Sequence, residues 1–113
     1  MSLPEAARTT DAGAFRLVPA APGGFAAQGP LNFASARRAC DLGLRTLAEA
    51  SGAKLEIDCH GITVCDSAGL AVLLEWLAVA KRAGRSLRYT HLPAGLAALA
   101  RISDVQELLE RGL

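Results

Sequence analysis

A chain of 113 residues has room for one domain, and its net charge of +1, with basic and acidic residues interspersed, argues against nucleic acid as the main partner, because phosphate binding needs a clustered basic surface. Apolar residues make up 51% but aromatic ones only 4%, so the core has to be assembled from Ala, Leu and Val. The longest apolar stretch, Leu70 to Ala80, contains Glu75 and is too short to cross a bilayer, and MSLPEAARTTDAGA at the start holds no apolar run of the signal-peptide kind. A cytoplasmic protein without direct membrane insertion is therefore expected. Cys40, Cys59 and Cys65 are odd in number and lack metal-ligand spacing, which points to reduced, mostly buried thiols and to no metal.

Residues 1–14 read as a flexible tail ahead of a single domain over 15–113. FRLVPA (15–20) and GFAAQG (24–29) read as two short strands around the turn signal Ala21-Pro22-Gly23-Gly24, with Gly29-Pro30 stopping the second. Asn32 suits the N-cap of a helix over 33–50. Phe33, Ala36, Cys40, Leu44 and Leu47 fall on one face of it, and Arg37, Arg38, Asp41, Arg45 and Glu49 fall elsewhere. Ser51-Gly52 ends this helix. AKLEIDC (53–59) alternates around Leu55 and Ile57 as a strand, and 58–64 reads as its exit loop. A second helix runs from Ser67 to Ala83 and ends at Gly84. SLRYTHL (86–92) is a further strand, broken at Leu92-Pro93. AGLAALARI forms a short helix, and Ser103 or Asp104 caps a last one in VQELLERG. Strands that alternate with helices imply parallel pairing through right-handed crossovers, while the tightly joined first two should be antiparallel. The fold class is α/β, a small mixed sheet of about four to five strands packed against about four helices.

The step Asp66-Ser67-Ala68-Gly69 raises the functional question. As N-cap, the Asp66 carboxylate can accept bonds from the free N–H groups of Ala68 and Gly69, and its charge suits the positive end of the helix. Ser67 then sits at the first helical position facing solvent. Gly69, in the first turn, costs about 1 kcal/mol relative to Ala, so helix stability gives no reason for it. Close approach by another backbone, or by a phosphate, would. The step is either a good helix start with a local packing need or a docking point.

The wider stretch VCDSAGLAVLLEWLAVAKRAGRSLRYTHLPAGLAALARISDVQELL resembles the STAS family, shared by anti-sigma factor antagonists and sulfate transporter tails. The family's signature, an Asp-Ser/Thr-x-Gly-Leu step opening a helix after a buried strand, matches Asp66-Ser67-Ala68-Gly69-Leu70. GPLNFASARRA upstream is similar to the family's passage from second strand to first helix, and the resemblance covers roughly residues 15 to 110. GLAVLLEWLAVAKRAGRSL and LPAGLAALARISDVQELL look most like the MlaB branch. That resemblance implies a non-enzymatic accessory subunit without a cofactor, bound to the ATPase subunit of the bacterial ABC system that moves phospholipids between membranes and keeps the outer membrane's lipids asymmetric. It would lie on the cytoplasmic side of the inner membrane, peripheral to it through its complex. The antagonist branch implies instead phosphorylation of Ser67 and capture of an anti-sigma kinase. Ala68, where antagonists more often carry a second serine, favours the transporter branch.

Along the helix after the step, about 100° per residue gathers Leu70, Leu73, Leu74, Leu77 and Ala80 toward the sheet. Val72, Trp76 and Val79 form a second apolar stripe nearly opposite, with Ala68, Ala71, Glu75, Ala78 and Arg82 between. Either a neighbouring helix covers that second stripe or a partner does, with Trp76 as anchor and a polar rim. The expected partner contacts are therefore Asp66, Ser67, Ala68, Gly69, Ala71, Val72, Glu75, Trp76 and Val79. A catalytic pair of Ser67 and His60, oriented by Asp58 or Asp66, lacks the Gly-x-Ser-x-Gly elbow, and His91 reads as a strand end. No Walker A sequence is present. The basic AKRAGR (80–85) reads as a solvated helix end that could also face anionic headgroups.

Overall fold

The structure, a computed structural model, describes residues 14–21 and 23–112. The tail expected over 1–14 therefore lies, apart from Ala14, outside the described residues, as do Pro22 and Leu113. The elements follow as β1 (Arg16–Ala21), β2 (Gly24–Leu31), α1 (Ala36–Glu49), β3 (Lys54–Cys65), α2 (Ser67–Arg82), β4 (Ser86–Thr90), α3 (Ala94–Ile102) and α4 (Gln106–Arg111). The sheet runs β1-β2-β3-β4. β1 and β2 are antiparallel, and β2, β3 and β4 are parallel, as the alternation of strand and helix requires.

Alternation along the strands decides which face is covered. Leu55, Ile57 and Cys59 of β3 and Leu87 and Tyr89 of β4 are buried. Their neighbours Glu56 and Arg88 point the other way and form an ion pair at 2.6 Å. The helices thus cover one face of the sheet, and Leu70, Leu73, Leu77 and Ala80 of α2 complete the core. Tyr89 donates its buried hydroxyl to the Leu73 carbonyl at 2.7 Å, which satisfies the polar tip of a wholly buried ring.

Two expected boundaries are corrected. β2 does not stop at Gly29-Pro30 but runs to Leu31, and 58–64 is not a loop but the second half of β3. Pro30 is tolerated because the register shifts between Gly29 and Pro30, where a residue without an N–H leaves no ladder bond unmade. The lengthened β3 buries Cys59 and Ile62 while exposing His60 and Thr63.

α1 also starts later and is rotated relative to the expected face. Ser35, not Asn32, stands at its N-cap, and Ala39, Gly43 and Leu47 are its buried residues. Phe33 lies ahead of the helix and is 84% exposed. At the other end of α1, the Arg85 guanidinium donates to the carbonyls of Leu47, Ala50 and Gly52. The last carbonyls of a helix have no partner of their own, so Arg85 is a cap rather than the solvated charge expected in AKRAGR.

Candidate functional site at the start of the second α-helix

β2 and β3 end side by side, with Leu31 opposite Cys65, and the chain turns directly from Cys65 into α2. Asp66 has extended backbone and accepts at Oδ1 from the Gly69 N–H at 3.0 Å. Its other oxygen, Oδ2, accepts from the Phe33 N–H at 3.0 Å. Donation by Gly69 first, and then by Phe33, holds this carboxyl below the usual carboxylate range. The ionised group therefore fixes two things at once: the first turn of α2 and the turn that leads into α1.

Gly69 is explained by a close approach of backbone. A methyl group there would stand 2.0 Å from the Leu31 carbonyl oxygen and 2.9 Å from Cys65 Sγ. The first turn of α2 is pressed against the end of β2, and only glycine fits. Gly69 is buried, so its expected role as a partner contact is corrected to a structural one.

Ser67 is exposed at the first position of α2, and no described residue bonds its hydroxyl. Asp66, Ala71 and Glu75 are exposed, and Ala68 and Val79 are half-buried. Val72 and Trp76 are buried, Trp76 completely. The expected stripe of Val72, Trp76 and Val79 is thus covered within the domain, and Trp76 is no partner anchor on this surface. The indole packs directly against Gly43 of α1, donates from Nε1 to the Cys40 carbonyl at 3.3 Å, and meets the Phe15 ring at a centroid distance of 6.0 Å.

Sequence reasoning missed two residues of this edge. Phe33 and Val64 are 84% and 51% exposed, and Val64 pairs with Pro30 one step before the ladder ends at Leu31 and Cys65. Phe33 follows Asn32 in a turn tied by Ser35, and the signal available was the Asn-x-x-Ser spacing, which favours a side-chain-bonded turn over a helix start.

The other candidates stand apart. The His60 N–H donates to Asp58 Oδ1 at 2.9 Å, and the same oxygen lies 3.4 Å from His91 Nδ1, so these groups associate with each other and not with Ser67. Among the described residues no group of three or more His, Cys, Asp or Glu could hold a metal, and no helix is long and apolar enough to cross a membrane. The three cysteines are free. Burial pushes the Cys59 thiol up to about 12 and the Cys65 thiol to about 11, with Asp58 and Asp66 respectively adding to it.

Compared with known families, residues 20–110 match the one described as "Mlab, STAS domain". The chain belongs to this family. The match spans all four strands and all four helices described, apart from the first residues of β1 and the last of α4. No curated protein matches the chain. STAS domains are protein-interaction domains, generally regulatory or accessory. In this STAS domain the family step Asp66-Ser67-Ala68-Gly69 divides its labour: Asp66 and Gly69 build the edge, and Ser67 is left facing outward.

Proposed function

We propose that this STAS domain is a non-enzymatic accessory subunit that docks on the ATPase subunit of an Mla-type phospholipid ABC transporter, at the cytoplasmic face of the inner membrane, and supports its assembly or activity. The docking edge consists of Phe33, Val64, Asp66, Ser67, Ala71 and Glu75, with half-buried Ala68 behind them. One observation carries this reading: a large aromatic side chain, Phe33, is exposed and its backbone is bonded to the carboxylate of the family step. An exposed aromatic with a polar rim has the composition of an interface centre.

Calorimetric titration against the purified ATPase subunit tests it. Phe33→Ala should leave the domain folded and weaken binding by about 2 kcal/mol or more, the order of a hot spot. Ser67→Glu should also weaken binding, because a charge would be desolvated at the contact, while Ser67→Ala should be mild. Unchanged binding by both Phe33→Ala and Ser67→Glu would remove the edge from the contact.

The second reading is an anti-sigma factor antagonist switched at Ser67, and the exposed, unbonded hydroxyl favours it. A phosphate would add about −1.5 to −2 charge at a helix N-terminus that welcomes it, next to an Asp66 that repels it. Capture of an anti-sigma kinase from the native cell, with phosphate transfer to Ser67, would select this reading over the first.

A further inference from the structure

We infer that the partner-facing surface continues from the α2 edge over Phe33 onto the outward side of α1, where Arg37 and Arg45 receive carboxylates of the same partner. The inference rests on the docking reading above and adds to it the chemistry of the partner: a segment that presents acidic side chains.

A shallow groove runs along α1, lined by Ala34, Arg37, Arg38, Asp41, Leu44 and Arg45. Ala34 follows Phe33 directly, so the groove begins where the proposed edge ends. The two helices also run flank to flank. Trp76 of α2 donates to the Cys40 carbonyl of α1 at 3.3 Å, so α2 packs beside α1 at Cys40, one residue before Asp41 of the groove.

Two of the groove's guanidinium groups, Arg37 and Arg45, are unpaired among the described residues. Arg37 and Arg45 are exposed and stand two turns apart, about 12 Å at the helical rise. Ion pairs among the described residues join Arg88 to Glu56, His91 to Asp58 and Arg111 to Glu107, and neither Arg37 nor Arg45 takes part in one. Asp41, between them along the helix, pairs with neither. α1 carries three arginines and no lysine. A guanidinium is planar, weakly hydrated and able to grip a carboxylate with two parallel bonds, which suits an interface better than a solvated surface. The groove favours a protein over a lipid surface because it is concave, has Ala34 and Leu44 among its lining, and holds the Asp41 carboxylate amid the arginines. Anionic headgroups would be repelled by that carboxylate, whereas a protein segment can place a donor there.

The test is titration of the whole chain and its Arg37→Glu/Arg45→Glu variant against the purified ATPase subunit at low and high salt, with Phe33→Ala in parallel. The double variant should keep native circular dichroism, bind about tenfold or more weakly at low salt, and lose most of the salt dependence of the parent. Parent-like binding by the double variant, with Phe33→Ala weakened, would overturn the inference and leave the docking edge standing. Parent-like binding by both would sink the docking reading and the inference together. Sedimentation of the parent, but not the double variant, with phosphatidylglycerol vesicles would assign the arginines to headgroups and overturn the inference.

Discussion

Replacing Gly43 with alanine should destabilise this domain although it removes a glycine from the middle of a helix. On helix propensity alone, Gly43→Ala would gain about 1 kcal/mol. The new methyl, however, would stand 2.1 Å from both Cε2 and Cζ2 of Trp76 and 2.4 Å from Nε1, where ordinary carbon contacts lie at about 3.5–4.0 Å. The indole cannot swing aside, since it is fully buried, packed on Phe15 and bonded to the Cys40 carbonyl. α1 must therefore move off α2 by more than 1 Å, and overpacking of this kind costs about 1–3 kcal/mol, or more when the backbone shifts. Set against the propensity gain, the net loss is about 0–2 kcal/mol, and more where the backbone shifts. The sign should invert once the ring is gone: in a Trp76→Leu background, Gly43→Ala should stabilise by up to about 1 kcal/mol, giving a coupling near the upper end of the usual 0.5–3 kcal/mol. Urea titrations followed by far-ultraviolet circular dichroism measure all four corners of this cycle. Fluorescence would not serve, because Trp76 is the only tryptophan. A raised midpoint for Gly43→Ala with Trp76 in place would refute the packing argument and reopen the surface reading of Trp76.

Leu77→Ala, which empties a side chain only 1% exposed, should cost about 2–5 kcal/mol in the same denaturation assay. Gly69→Ala should lower the midpoint and weaken partner binding only through misfolding, because its methyl meets the Leu31 carbonyl; a folded variant that binds poorly would return Gly69 to the interface. Stability should be flat through neutrality and fall above about pH 9. There the unfolded chain ionises Cys59 and Cys65 while the folded one, with thiols raised to about 12 and 11, still holds its protons, so rising pH favours unfolding. Between about pH 9 and 10, before the buried Tyr89 hydroxyl adds its own loss, a Cys59→Ala/Cys65→Ala variant should fall less steeply, with Cys40 supplying what remains, and an equally steep fall without these two thiols would rule them out as its source.

The order of elements was legible because helical and strand periods alternate cleanly, and the leucine spacing of α2 marked its core side. Asp66 was legible as a cap because its chemistry is local: the groups it serves lie within three residues. Its second bond, to Phe33, was not, since it joins segments that only the parallel pairing of β2 and β3 brings together. The cover over Trp76 was hidden for the same reason. It depends on a glycine in another helix, and nothing around Trp76 announces where room for the ring will come from. The length of β3 was obscured by Asp58, His60 and Gly61, which read as a turn; the strand continues past Asp58 because β2 pairs along it, with a register shift between Ala26 and Gln28 that sets buried Cys59 and Ile62 three residues apart.

Phe33 combines an exposed ring with a backbone that has little freedom left. Asn32 donates its N–H to Ser35 Oγ at 3.0 Å, Ser35 donates its own N–H to Asn32 Oδ1 at 3.2 Å, and the Ser35 hydroxyl donates to the Pro30 carbonyl at 2.9 Å. With the Asp66 carboxylate on the Phe33 N–H, the turn is knotted from both sides. The consequence is entropic. A loop that orders only on contact loses about 1–2 kcal/mol per residue in backbone freedom. Here that ordering belongs to folding, so whatever covers the ring has only its rotamers to restrict, about 0.5–1.5 kcal/mol. Ser35→Ala, which leaves the ring and every charge in place, should therefore slow capture of Phe33 by loosening the turn that presents it.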